Sequence, residues 1–262
     1  MAGLTGLPHQ AFGGDRDTLG TDTGQGFWWL LTASERGDLS AAGQLRIYKP
    51  GAILCNEGDL ATHLFVLLAG SVKICSVTPD GDRLVIALRG LGDVIGEISG
   101  ETTGQREATV QAIDSVHALI VGYERFGAFL ESHPKAARVY TRVMIQRWAE
   151  AAEMLSTLRV TTGTQRLAAV LLQLAERYGN GTDGEIHMAI PLSQEELAGL
   201  GFTSRTTVIR AFRNWRRRGF IRTGQRRITI LDQEAIRRAA GWAERNSPRY
   251  ASGPVGLGRL IP

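Results

Sequence analysis

Residues 193–219 read SQEELAGLGFTSRTTVIRAFRNWRRRG. Ser193 followed three residues later by Glu196 is a capping box, so a helix opens there and carries Leu197 and Leu200. Gly201-Phe202-Thr203 predicts a tight turn. Thr203 or Ser204 then caps a second helix that runs to about Arg218, where Gly219 stops it. Within that helix Val208, Phe212 and Trp215 stand at steps of four and three and form one buried stripe. The next stretch, FIRTGQRRITIL (220–231), predicts a two-stranded hairpin around Thr223-Gly224. A helix, a short glycine-bearing turn, a helix and a hairpin make a winged helix-turn-helix.

Charge gives this unit a purpose. Between Ser204 and Arg227 there are nine arginines and no Asp or Glu, while the whole chain carries a net charge of +4. Removing those nine charges leaves −5 for the remainder, so the positive charge is localised. A solvated helix face normally mixes signs, whereas an unmixed arginine block fits a polyanion. Arg205, Thr206, Ile209, Arg210 and Arg213 turn away from the buried stripe. The first residues of a recognition helix meet base edges, which makes Arg205 and Arg210 candidates for guanine O6 and N7. Thr206 can touch a base edge or a thymine methyl. Arg213, Arg216, Arg217 and Arg218 are expected on phosphates, as are Arg222, Arg226 and Arg227 on the wing. The expected partner is double-stranded DNA.

Upstream, a helical stripe through Leu167, Val170, Leu171 and Leu174 ends near Gly179, and EIHMAIPL (185–192) reads as a strand. A unit spanning 160–240 results. Before it, Pro134 starts a helix whose positions 137, 141, 144, 148, 151, 155 and 158 alternate steps of four and three. Met144, Trp148, Ala151, Leu155 and Leu158 lie on this seam. It exceeds two heptads, more than a small roll would cover, and predicts a homodimer. The alternative is a helix packed on its own domain. Residues 124–159 thus form a helix pair, ERFGAFLESH being the first.

From 47 to 123 the pattern changes to short apolar runs: LFVLLA, VKICSV, LVIALR, TVQAI and HALIV. They are cut by Pro50-Gly51, Gly58-Asp59, Gly70, Asp80-Gly81, Gly90 and Gly92-Asp93. Many short strands at steady spacing indicate a β-barrel or jelly-roll-like β-roll. Together with FWWLLTASERGD, read as one flanking helix ending at or just past Gly37, the roll spans 27–123. Residues 1–26 read as a flexible tail and 241–262 as a second tail. The fold class is α+β: an N-terminal β-roll, a long dimerisation helix and a C-terminal winged helix-turn-helix.

Several classes are excluded. The longest apolar run near the middle, Leu64 to Ala69, is far too short to span a bilayer, and the N-terminus has no secretory pattern. A cytoplasmic location with no membrane partner is expected. Cys55 and Cys75 have no CxxC partner and read as buried packing residues; the chain's two cysteines cannot supply the usual four ligands of an iron–sulfur cluster. The five histidines show no metal-ligand spacing, so no metal site is assigned. No acid–base pair or nucleophile with a partner suggests an enzyme.

GDLATHLFVLLAGSVKI, LRGLGDVIGE, the long helix and LSQEELAGLGFTSRTTVIRAF together resemble the Crp–Fnr family of bacterial transcription regulators over residues 27–235. The resemblance implies a homodimer with a cyclic-nucleotide-binding-type roll. Its two recognition helices would enter successive major grooves about 34 Å apart on a near-palindromic site. It adds RNA polymerase as a further partner. Arg205 and Arg210 match the arginines of the family's S-R-E-T-V-x-R motif, but Thr206 replaces the glutamate, so the usual half-site is not expected. In IGEISGETTGQREATV (95–110) the nucleotide cassette survives in part. Gly96 would let a ligand approach, Glu97 would accept from a ribose hydroxyl, Arg106 would pair with a phosphate, and Ile98 and Ser99 lie between them. Glu107 stands where the family has Ser or Thr, and Ala151-Ala152 stand where cyclic-AMP binders have Thr-Ser. Glu107 either repels a phosphate or pairs with Arg106 in its place. Cyclic AMP in the usual mode is therefore not expected; the alternative effectors are cyclic GMP or a cyclic dinucleotide. With no Cys or His in the cassette, haem is not expected either.

Overall fold

The computed structural model describes residues 26–77, 83–101, 104–158, 161–182, 184–189, 191–225 and 227–241. The expected tails at 1–26 and 241–262 fall almost wholly outside these, as do Asp80-Gly81 and Arg226.

The chain opens with α1 (Phe27–Leu30) and α2 (Ala33–Ala42). One helix was expected here. Thr32 breaks it by capping α2 in a complete capping box with Glu35, and α2 continues past Gly37 to Ala42. The roll follows: β1 (Gln44–Tyr48), β2 (Ile53–Cys55), β3 (His63–Ala69), β4 (Val72–Val77), β5 (Arg83–Arg89), β6 (Val94–Ile95), the short α3 (Glu97–Glu101), β7 (Thr109–Ala112) and β8 (Val116–Gly122). Two sheets face each other, ordered β1-β8-β3-β6 and β2-β7-β4-β5. Their inner faces bury Phe65, Leu67, Val72, Val110 and Ala118. Cys55 and Cys75 are buried thiols in β2 and β4.

Next come α4 (Tyr123–Ser132) and the long α5 (Pro134–Leu158). The inward stripe of α5, with Ala136, Val139, Tyr140, Val143 and Met144, packs with Phe27, Phe126 and Phe129 on the outer side of the roll. The C-terminal unit holds α6 (Gly163–Tyr178), β9 (Gly179–Thr182), β10 (Glu185–Met188), α7 (Gln194–Leu200), α8 (Arg205–Arg217), β11 (Ile221–Gly224), β12 (Arg227–Ile230) and α9 (Gln233–Ala239). Its sheet is ordered β11-β12-β10-β9.

The C-terminal unit is docked on the roll. Cys75, Val85 and Leu88 of β4 and β5 share one apolar core with Leu167, Leu171, Leu197, Phe212 and Trp215. Gly199 lies inside α7, where glycine weakens a helix. A Cβ there would stand 2.8 Å from Leu84 Cδ1 and 3.0 Å from the Val85 carbonyl, so close approach requires glycine. Lys73 of β4 ion-pairs with Glu196, whose other oxygen accepts from the Ser193 amide in the capping box. Burial pushes the Glu196 carboxyl up, but the Lys73 and Ser193 bonds outweigh it and hold it below the ordinary range.

Near this dock, Asp114 accepts from the Ser71 amide at 2.7 Å. The next residue back, Ile113, donates to the Ser71 carbonyl and packs on the shared core. Burial raises the Asp114 carboxyl from 3.8 to about 6. The folded chain then binds a proton that the unfolded chain has released, so this group's contribution to stability falls as pH rises from about 4 through about 6. Discounted for partial exposure, the cost at pH 7 is about 1–2 kcal/mol. Asp114→Asn keeps an oxygen acceptor for Ser71 and removes the charge. Urea denaturation should find it more stable than wild type at pH 7.5 by about that amount, with the difference much reduced near pH 4. Equal differences at both pH values would refute this.

Candidate nucleic-acid interface and effector seat

Ser204 caps α8 by accepting from the Thr207 amide at 3.2 Å. Val208, Ala211, Phe212 and Trp215 are buried. Arg205, Thr206, Ile209, Arg210 and Arg213 are exposed on the opposite side. The sequence periodicity thus places one apolar and one cationic face on a single helix. The other arginines have local roles too. Arg216 donates to Thr223 Oγ1 at 3.0 Å, tying α8 to the wing. Arg218 lies 5.2 Å over the Phe220 ring, and Arg222 pairs with Glu185 at 3.5 Å. Arg217 and Arg227 are exposed. Arg205 approaches Glu195 of α7 at 4.0 Å, with both side chains about two-thirds exposed, a contact too weak to compete with a phosphate or a guanine. The hairpin turn falls after Gly224, slightly later than expected.

The expected effector cassette is built around Arg106, which is 3% exposed. Its Nη2 donates to the His63 carbonyl at 2.7 Å, its Nη1 approaches the Tyr123 hydroxyl at 3.4 Å, and its guanidinium lies 5.3 Å from the Phe65 ring centroid. Gly96 has φ +82°, and a Cβ there would collide with Arg106 Nη1. The Tyr123 hydroxyl donates to the Gly96 carbonyl at 2.6 Å. Burial pushes that phenol up, which keeps its proton in place for the bond. Arg106 therefore bonds a carbonyl and a phenol instead of Glu107, which is exposed. Ile98 is exposed and Ser99 buried on α3.

Glu97 has a partner that the sequence did not reveal. Arg147 of α5 bonds Glu97 Oε1 at 2.9 Å, Asp93 Oδ1 at 2.9 Å and the Val94 carbonyl at 2.8 Å. All three side chains are at least 85% buried. Arg147 continues the inward stripe of α5, four and five residues before Ala151 and Ala152, and that spacing was the available signal. Ala151 is exposed and Ala152 half-buried. Of the expected dimer seam, Trp148 and Leu155 are 73% and 65% exposed, and Leu158 is half-buried. Met144 instead packs inward on the roll, because α5 turns its 143–144 edge to Phe126 and Phe129; Ile145, 61% exposed, takes the outward position.

Among the described residues, no group of three or more His, Cys, Asp and Glu is arranged to hold a metal ion, and no helix is long and apolar enough to cross a membrane.

Comparison with known proteins agrees with this architecture. Residues 45–133 match the cyclic nucleotide-binding domain and 165–239 the Crp-like helix-turn-helix domain. A CRP-like cAMP-activated global transcriptional regulator of Mycobacterium tuberculosis is 31% identical over 184 residues, which is 70% of this chain and 82% of that protein. A crystal structure of a CRP-family transcriptional regulator from Thermus thermophilus superposes with a TM-score of 0.61 at 27% identity, covering 75% of this chain and 96% of that one. The c-di-GMP responsive global regulator of Xanthomonas campestris shares the fold, with a TM-score of 0.64 at 22% identity over 76% of this chain and 99% of that one. These relatives are regulators, not enzymes. With a nucleotide-binding-type roll on its N-terminal side and an arginine-faced helix-turn-helix on the other, the chain belongs to the Crp–Fnr family of DNA-binding transcription regulators.

Proposed function

We propose that this regulator acts as a cytoplasmic homodimer on a near-palindromic DNA site, with RNA polymerase as a further partner, and that its effector seat does not take cyclic AMP in the usual mode. The exposed face of Ile145, Trp148 and Leu155 on α5 supports the homodimer, since a large apolar stripe on a long helix is stabilised by a second copy. The seat chemistry carries the effector reading. Glu107 brings a carboxylate to the position beside Arg106, and Ala151-Ala152 offer a base no hydroxyl. A phosphate brought to within about 4 Å of that exposed carboxylate would be repelled by about 1 kcal/mol in water and about 4 at an intermediate dielectric, which is one to three powers of ten in affinity. The name of the M. tuberculosis relative makes cyclic AMP the effector to test first.

One observation favours a second reading, in which the seat takes cyclic GMP or a cyclic dinucleotide. Gly96, Glu97 and Arg106 are all retained, and the Arg106 guanidinium is bonded to a carbonyl and a phenol, leaving its charge for an anion. Titration calorimetry of the wild-type chain with cyclic AMP, cyclic GMP and c-di-GMP decides between the two. Cyclic AMP is expected to give no heat at millimolar ligand. The double variant Glu107→Ser with Ala152→Ser is expected to gain cyclic-AMP affinity by at least about tenfold. Tight binding of cyclic AMP by wild type would refute the first reading, and no gain in the double variant would refute its cause.

A further inference from the structure

The turn between α7 and α8 is held by a residue from outside the helix-turn-helix. Arg166, in the second turn of α6, points its guanidinium at three main-chain carbonyls. Nε donates to Gly201 at 3.0 Å, Nη2 to Phe202 at 2.6 Å and Nη1 to Thr161 at 2.5 Å. Gly201 and Phe202 form the turn; Thr161 lies in the connection leading from α5 into α6. Phe202 has φ +44°, which no other non-glycine residue takes with a positive sign among the described residues. A bulky side chain in the left-handed region is strained and persists only where its surroundings over-determine it. The Gly201, Phe202 and Thr203 amides bond back to Leu197, Gly199 and Ala198 of α7, and Arg166 takes the outward carbonyls. The start of α6 presses on the same place: a Cβ at Gly163 would collide with Thr203 and meet Thr207 Cγ2 at 3.4 Å.

We propose that Arg166 is a positioning residue for base reading. It holds the Gly201-Phe202 turn in its strained conformation and fixes the direction in which α8 leaves it relative to the α5–α6 connection. Its Nε, Nη1 and Nη2 are each already donating to a main-chain carbonyl. It acts through Phe202 and Ser204, two residues ahead of Thr206 and just before Arg205. A shift in the connection at Thr161 reaches the recognition helix through the same guanidinium. Lysine cannot replace it, because one ammonium on a flexible stem does not span three carbonyls in a fixed fork.

The test uses the full chain and two DNA probes measured by fluorescence anisotropy: an operator selected by wild type from a random pool, and a random duplex of equal length. Arg166→Met should weaken operator binding about tenfold or more, leave random-duplex binding within about twofold, and leave the salt slope unchanged. Arg166→Lys should fall between. Adding Phe202→Gly, which removes the strain, should recover most of the loss in Arg166→Met. A parallel loss on both probes with the slope reduced by about one would instead identify a phosphate contact and overturn the proposal. Unchanged operator affinity would also overturn it. If Arg166→Met does not fold, Arg166→Lys with and without Phe202→Gly carries the test, and operator affinities equal to wild type in both would refute it.

Discussion

Arg210→Ala is expected to weaken binding to the selected operator about 10- to 100-fold while changing random-duplex affinity only slightly. Arg210 is exposed on the outward face of α8, one turn and a half beyond Arg205, and has no hydrogen bond or ion pair among the described residues. Unlike Arg205 with Glu195, or Arg222 with Glu185, it has no carboxylate to leave before meeting DNA. A bidentate arginine–guanine contact discriminates by about 1–3 kcal/mol, which gives the expected range. Arg210→Lys separates charge from geometry: it should keep the salt slope near wild type and still lose discrimination at one base pair. Equal losses on operator and random DNA would place Arg210 on a phosphate.

The second large effect is on stability. Arg147→Met should lower it by about 3 kcal/mol or more, because the Asp93 and Glu97 carboxylates stay buried after their shared cation is gone. For a chain of this size that is a fall in melting temperature of roughly 6–12 °C. Asp93 keeps the Gly90 amide, donated at 2.8 Å to its other oxygen, so Glu97 bears most of the loss. Glu97→Gln added to Arg147→Met should therefore recover part of it. Thermal denaturation followed by circular dichroism measures both. An Arg147→Met chain melting within about 2 °C of wild type would show that this buried triad does not hold α5 to the roll.

The features legible in sequence were those made by neighbours along the chain. Capping boxes gave the start of α7, glycine gave the end of α8, and five apolar runs gave β3, β4, β5, β7 and β8. The failures were tertiary or masked by composition. β1 escaped because it buries only Tyr48: Leu45 and Ile47 are exposed along with Gln44 and Arg46, so no inward apolar run marks it. β9, GNGT, has no apolar pattern and exists by pairing with β10. The break at Leu31-Thr32 was hidden because Thr32-x-x-Glu35 lies inside an otherwise helical run. The cationic face of α8 was legible because one helix carries it all. The proposed effector seat was only half legible: Gly96, Glu97 and Arg106 are contiguous enough to read, but Arg147 and Tyr123 reach them from α5 and α4, and only the place of Arg147 on the inward stripe of α5 hints at that meeting. Gly199 gave no signal in sequence either; its need for a missing Cβ exists only because β5 packs against it.

The most direct test of the central reading is the affinity of the wild-type chain for its selected operator at physiological salt, with and without millimolar cyclic AMP. A dimer should bind both half-sites, with a steep salt dependence and an operator preference of at least about a thousandfold over random DNA. On the reading proposed for Glu107, Ala151 and Ala152, cyclic AMP should leave that affinity within about twofold. Cyclic AMP tightening the operator complex tenfold or more would contradict the reading of the seat, and operator binding no stronger than random-duplex binding would contradict the reading of α8.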